Sequence, residues 1–219
     1  MTRSEENYLK AIYHLGSSQN KAVATNAIAR QMDTKPSSVT DMIKRLSEKG
    51  LVNYRKYQGV TLTQNGRNAA LGIIRKHRLW EVFLVEKLNF SWDEVHEMAE
   101  QLEHIKSEQL IDRLDEHLGF PKFDPHGDPI PSKSGVFKKS NKRLLTEVPL
   151  DTEGICVGVK DSSAAFLKFL DKNNIALGDK IVVREREEFD GSLFIEIDEN
   201  KMHISNQIAS NLYIQLEVL

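Results

Sequence analysis

The segment His96-Glu-Met-Ala-Glu100-Gln-Leu-Glu103-His104, with His77 and Glu81 ahead of it, concentrates the side chains that can do chemistry. On a helix advancing about 100° per residue, His96, Glu100, Glu103 and His104 project within roughly one third of the circumference. Val95, Met98, Ala99 and Leu102 fall on an adjoining apolar face. His77 and Glu81, one turn apart, would share a face on an earlier helix. Imidazoles and carboxylates gathered on facing helices are the donor set that a divalent first-row metal needs. The bland alternative is a solvated acidic helix face with incidental histidines. That alternative suits any one residue; the whole set favours metal binding.

A chain of 219 residues can bury one substantial core or two or three small ones. With 40% hydrophobic and 28% charged residues it reads as soluble and folded. The start, Met1-Thr-Arg-Ser-Glu-Glu-Asn, has no apolar core and is unlike a secretory signal. No apolar run approaches the roughly 20 residues needed to span a bilayer, so no membrane partner is expected. The single Cys156 excludes an internal disulfide framework and suits a reducing cytoplasm. Within Ile155-Cys-Val-Gly-Val it reads as a buried, inert thiol.

The net charge of −2 conceals an asymmetry. Between Lys21 and Trp80 stand twelve Lys or Arg against three acids; between Glu81 and Asp128, thirteen acids stand against four bases. A basic region followed by an acidic one argues for polyanion contact first and cation binding second.

The elements that must position these groups follow from periodicity and punctuation. Tyr8, Leu9, Ile12 and Leu15 mark a first helix from Glu5, and Ala22 to Met32 a second. A third opens at Lys35-Pro36, buries Val39, Met42, Ile43 and Leu46, and stops at Gly50. Leu51–Arg55 and Val60–Thr63 read as two short strands around Tyr57-Gln-Gly59. Helix, helix, turn, helix, β-hairpin is the order of a winged helix-turn-helix. On that reading Lys35, Pro36, Ser37, Ser38, Thr40, Asp41 and Lys44 face a major groove. The hairpin brings Arg55 and Lys56 to the phosphates, with Arg67 joining from the next helix start. Small hydroxyl residues predict close approach and base-edge or water-mediated readout.

A long amphipathic helix continues from Gln64 to about Leu88, Ser91-Trp-Asp-Glu94 has capping-box spacing ahead of the His96 helix, and a further helix runs from Ser107 to Leu118. Trp80, Phe83 and Trp92 are read as core or dimer-contact residues. Phe120–Ser134, with four prolines, is a rigid loop or linker. After Val148 the pattern turns to β, in Gly154–Val159, Lys180–Glu185, Ser192–Ile197, Lys201–Ile204 and Tyr213–Val218, interrupted by a helix at Ser163–Leu170. Several short strands within about 70 residues fit a small SH3-like barrel. The fold class expected is therefore α+β multidomain.

Across essentially its whole length the chain resembles the diphtheria toxin repressor and manganese transport regulator family of metal-dependent repressors. The resemblance is carried by Glu6-Asn-Tyr-Leu-Lys-Ala-Ile-Tyr13, Pro36-Ser-Ser-Val-Thr40, Leu62-Thr-Gln-Asn-Gly66, Arg75-Lys-His-Arg-Leu79, Glu103-His104 and His126-Gly-Asp-Pro-Ile-Pro131. It implies a winged helix-turn-helix over 1–72, a helical dimerisation and metal-binding domain over 73–140, and an SH3-like (FeoA-like) domain over 148–219. It also implies a homodimer on a double-stranded DNA operator, activated by Mn²⁺ or Fe²⁺, with Co²⁺, Ni²⁺ and Zn²⁺ as surrogates and no small organic substrate. Asn7, Glu100, Glu103 and His104 match the family's primary metal site. Asn7 stands where the family usually has Asp or Met, and its amide oxygen is a neutral, weaker ligand. Glu100 stands where some iron-type members carry Cys, and a hard carboxylate favours Mn²⁺ while allowing Fe²⁺. An ancillary site is implied in two versions: His77, Glu81 and His96 in iron-type members, or Glu81 with Asp124, His126 and Asp161 in streptococcal-type manganese regulators. A metal at Asp161 would staple the last domain to the dimerisation domain. His14, His117 and His203 match no ligand position and are read as structural.

The expected mechanism begins with repulsion among Glu100, Glu103 and neighbouring acids in the metal-free chain, leaving the first helix poorly tied; metal then links that helix to the His96 helix. Two rivals stand beside this reading. A di-metal carboxylate enzyme would need an acid–base or nucleophile constellation that the sequence does not offer, and adjacent Glu103-His104 break the usual Glu-x-x-His spacing. A winged-helix regulator sensing an organic ligand would leave the acidic cluster merely structural.

Overall fold

The computed structural model describes residues 1–16, 21–55, 58–137, 141–198 and 200–216. The first helix, α1 (Arg3–Gly16), buries Tyr8, Leu9, Ala11 and Ile12. Leu15, expected in that stripe, is exposed. α2 is shorter than expected, Thr25–Gln31. The reason lies in Val23: its N–H and carbonyl exchange hydrogen bonds with Val60 (2.8 and 2.9 Å), which holds the chain extended up to Ala24. α3 (Pro36–Glu48) has Pro in its first turn and buries Val39, Ile43 and Leu46. Gly50 follows at φ +66, the left-handed residue that ends helices without a Cβ penalty.

β1 (Val52–Arg55) and β2 (Gly59–Leu62) pair antiparallel from Val52↔Leu62 to Arg55↔Gly59. Thr63 then accepts from the Gly66 N–H at 3.1 Å and donates to the Gly50 carbonyl at 2.7 Å. A Cβ on Gly66 would stand 1.9 Å from the Leu51 carbonyl oxygen, so only glycine lets the next helix start against the wing. That helix, α4, runs Gln64–Leu88 as expected. α5 covers Val95–Leu102 and α6 Glu108–His117, the latter headed by Ser107, whose hydroxyl accepts from the Leu110 N–H.

The C-terminal region is β3 (Lys142–Leu144), a 3-10 turn at Leu145–Glu147, β4 (Glu153–Val159), α7 (Ala164–Lys172), β5 (Lys180–Arg186), β6 (Leu193–Ile197), β7 (Asn200–Ile204), α8 (Asn206–Ala209) and β8 (Leu212–Leu216). The strands form one antiparallel sheet, order β3-β8-β4-β5-β6-β7, with bulges at Cys156/Gly158 and Val183/Glu185 that bend it around its core. β3 and α8 were not anticipated: one is only three residues long, the other is a single turn capped by Ser205.

By packing, the chain divides into two compact units, the boundary in α4 falling between Trp80 and Glu81. The first holds Met1–Trp80, Glu100–Arg113 and Pro131–Phe137; the second holds Glu81–Ala99, Leu114–Ile130 and the C-terminal sheet. The first has its core where α1, α2, α3 and the wing meet, around Leu9, Ile28, Ile43, Leu46 and Val60. The second has its core inside the six-stranded sheet, around Leu145, Leu167, Ile181, Val183 and Ile195. Among the described residues no helix is long and apolar enough to cross a membrane.

Cys156 sits inside the second core, 1% exposed, and burial pushes its thiol up to about 11. Native protein at pH 8 is expected to leave this thiol unreactive toward a disulfide reagent such as DTNB, with one equivalent released only on unfolding. Rapid labelling of the folded chain would contradict that burial.

Candidate metal centres

In the first unit, α1 presents Glu6, Asn7 and Lys10 within little more than one turn, so they share a face. α5 ends at Leu102, one residue short of the expected pair, so Glu103 and His104 come from the turn that follows and only His96 and Glu100 lie on the helix itself. His77 reaches in from α4.

Glu103 has no exposed surface. Its carboxylate accepts from His77 Nδ1 at 2.7 Å and from Lys10 Nζ at 2.8 Å on both oxygens. The same ammonium contacts the Glu100 carboxylate. Burial on its own would raise the Glu103 carboxyl; the His77 hydrogen bond and the Lys10 charge and hydrogen bond outweigh it and hold the group below its usual value. Burial pulls the Lys76 amine down, with Glu6 and Glu103 working in the opposite direction. The expectation that the acids repel one another and leave α1 loose is therefore corrected. A lysine from α1 offsets part of their repulsion and ties the helix to both carboxylates.

His104 donates from Nδ1 to Glu6 Oε2 at 2.6 Å. A carboxylate only accepts, so in the neutral ring Nδ1 carries the proton and Nε2 keeps its lone pair. Nε2 lies 3.8 Å from Glu103 Oε1. It is buried without a hydrogen-bond partner, and so is Asn7 Oδ1. Orphaned acceptors of this kind are costly unless something electron-poor meets them. Donor atoms from His77, Glu100 and Glu103 also lie within 4.8 Å of one another. Imidazole nitrogen, amide oxygen and two carboxylates make a hard, mixed N/O set, and these residues fit a divalent cation.

The second unit repeats the arrangement with other parts. Glu81, Asp124 and His126 are all buried, with donor atoms within 4.8 Å of one another. His126 Nε2 donates to the Trp92 carbonyl at 2.9 Å, which fixes the proton there and leaves Nδ1 as the lone pair. Nδ1 stands 3.8 Å from Glu81 Oε2 and 3.9 Å from Asp124 Oδ1. Donors sharing one ion at ~2.1 Å lie about 3 to 4 Å apart, so this spacing also fits. Asp124 Oδ1 accepts from the N–H groups of His126 and Asp128, building the loop as a tight Asx turn. The Trp92 ring stacks on His126 (6.3 Å, 10°), and its indole N–H donates to Asp171 of α7.

His96 is exposed, its Nδ1 3.5 Å from Glu81 Oε1. Asp161 does not join the Glu81 group; it is exposed and its carboxylate accepts from the Ser163 N–H. His14 packs edge-on to Tyr13 and His203 against Phe194.

Of the residues assigned to DNA, Lys35, Pro36, Ser37, Ser38, Asp41, Lys44 and Arg55 are exposed along α3 and the wing. Thr40 donates back to the Pro36 carbonyl, which leaves its hydroxyl oxygen as an acceptor. Arg67 lies over the Tyr13 ring at 5.3 Å. Lys56 falls outside the described residues.

Three residues of these centres escaped assignment from the sequence. Lys10 and Glu6 lie one turn apart on the same face as Asn7, and that i, i+4 spacing was the available signal. Trp92 acts partly through its backbone oxygen, for which side-chain identity carries no signal.

The region 1–60 matches the family described as iron dependent repressor, N-terminal DNA binding domain. Residues 63–132 match iron dependent repressor, metal binding and dimerisation domain, and 143–216 match the FeoA domain. An HTH-type transcriptional regulator of Methanocaldococcus jannaschii is 40% identical over 114 residues, which is 52% of this chain and 91% of that protein. The iron-dependent repressor IdeR of Mycobacterium tuberculosis is 35% identical over 151 residues, 66% of this chain and 65% of that one. A solved manganese-dependent transcriptional repressor in complex with manganese superposes with a TM-score of 0.84 at 34% identity, covering 97% of this chain and all of that one.

Gly127 holds φ +79, and a Cβ there would sit 1.9 Å from the Val157 carbonyl oxygen and 2.4 Å from Gly158 Cα. Gly127→Ala is expected to cost about 2–4 kcal/mol, strain and backbone clash together. A calorimetric melt would check this; an unchanged melting profile would show that the loop does not dock on β4 as described.

Proposed function

The chain belongs to the iron-dependent repressor family, and from that premise we propose that Asn7, Glu100, Glu103 and His104 are its primary metal ligands. Its function is metal-dependent repression of transcription in metal-ion homeostasis. The observation that carries the site assignment is the pair of buried, unpartnered acceptors, Asn7 Oδ1 on α1 and His104 Nε2, the latter 3.8 Å from the buried carboxylate of Glu103. Mn²⁺ or Fe²⁺ suits the hard carboxylates, with Co²⁺, Ni²⁺ or Zn²⁺ as surrogates. Glu81, Asp124 and His126 form an ancillary site, to which His96 is a further candidate donor.

A bound divalent cation supplies the positive charge that joins donors from α1, α5 and the turn after it. The protein's own groups do the rest. Glu6 holds the His104 ring with Nε2 as the lone pair, and His77 supports Glu103 from α4. α1 shares its core with α3, so what α1 is tied to bears on where α3 is held. The tie shifts DNA binding only as far as the donors prefer one arrangement over the other. In a homodimer two copies of α3 would read half-sites about 34 Å apart. Lys35, Pro36, Ser37, Ser38, Thr40, Asp41 and Lys44 meet the major groove of a double-stranded operator, while Arg55, Lys56 and Arg67 meet phosphates. We place the protein in the cytoplasm as a regulator, not an enzyme, with no membrane or organic substrate as partner.

Glu103→Ala is expected to abolish Mn²⁺-dependent binding to an operator selected in vitro, while circular dichroism and sizing show a folded dimer. The measurement is fluorescence anisotropy at fixed salt, because the phosphate contribution varies steeply with salt. Equal operator affinity with Mn²⁺ and with chelator in the unmutated chain would sink the proposal. Glu6→Gln, which keeps shape but puts an amide that can both accept and donate where a carboxylate only accepts, no longer fixes the His104 proton on Nδ1 and should weaken Mn²⁺ binding about 10–100-fold by calorimetry.

A further inference from the structure

We propose that Lys10 is a tethered cation occupying the primary site in the absence of metal, so that its ammonium must be displaced for the site to fill and thereby sets the metal concentration at which it does. The inference rests on the reading of this site as a metal site and adds a residue that competes with the ion.

Three observations carry it. The ammonium lies 2.8 Å from both Glu103 oxygens and contacts Glu100, so it uses the lone pairs of two proposed ligands at once. Its side chain is only 14% exposed and Glu103 is fully buried, so the pair is weakly screened. Glu103 also needs its partners, because a carboxylate with no exposed surface is sustained only by charge and hydrogen bonds. A metal ion coordinated by Glu100 and Glu103 would have to take the lone pairs that the ammonium now holds. Two cations cannot share that space, and repulsion at such separations is strong in a partly dry site. A lysine, with a flexible four-carbon stem and a compact head, can leave where a rigid group could not.

Neutralising the competitor should therefore tighten metal binding, although it removes a favourable contact from the metal-free fold. In calorimetric titrations of the full chain with Mn²⁺ at fixed pH and salt, Lys10→Met is expected to bind on the order of tenfold more tightly than the unmutated protein, the size of one charge-assisted hydrogen bond. Lys10→Arg, which keeps the charge, should not gain. Melting in chelator should start lower for Lys10→Met than for the unmutated protein, and saturating Mn²⁺ should raise it by a larger interval. Lys10→Gln, which retains a polar head, provides the same comparison if Lys10→Met fails to fold without metal.

A lysine with a merely structural role would lower both melting points equally and leave affinity unchanged. A lysine that assists the loaded site would weaken binding when replaced. Either result overturns the inference while leaving the metal site standing. An unmutated chain that takes up no Mn²⁺ at all would instead remove the site, and the inference with it.

Discussion

A carboxylate sealed away from water must be compensated, and Glu103 imposes that requirement on everything around it. His77 comes to it from α4 and Lys10 from α1, so two elements far apart in sequence converge on one buried anion. The turn after α5 exists in its observed form because Glu103 must point inward while its neighbour His104 turns toward Glu6. Removing any one partner leaves the anion under-compensated. The result is a site assembled by electrostatic need, not by apolar packing alone.

Both centres use one device to prepare an imidazole. A fixed acceptor, the Glu6 carboxylate in one and the Trp92 carbonyl in the other, takes the proton of one ring nitrogen and leaves the opposite nitrogen basic. The acceptors differ in consequence. A carboxylate adds negative charge to its site and can be replaced by mutation; a backbone carbonyl adds only a dipole and cannot. The Trp92 indole, bonded to Asp171, further couples the second centre to α7 inside the same compact unit.

Much of this was legible in the sequence. Periodicity placed α1, α3, α4 and the main strands within a few residues, because each has one buried face, and α3 has a clear stop at Gly50. Glu81, Asp124 and His126 do meet, and Glu100, Glu103 and His77 do gather. What escaped depended on partners distant in the chain. Val23 looked helical by composition, yet two hydrogen bonds to Val60 decide its conformation. Lys10 carried no assignment, because its partners Glu100 and Glu103 lie some ninety residues away in the chain. Leu15 sits at a correct helical interval but past the end of the core it was meant to join.

The reciprocal bonds between Val23 and Val60 give the wing a third strand, one residue long, supplied by the segment that leads into α2. The hairpin is thereby no independent flap. Its offset from the helix-turn-helix is set by the same backbone that launches that motif, much as the jaws of a caliper are set by its frame. On the proposed DNA-reading role, a duplex with the wrong groove-to-backbone offset would have to deform itself to fit. Operators would then be sorted partly by their pliancy, at base pairs that no side chain touches.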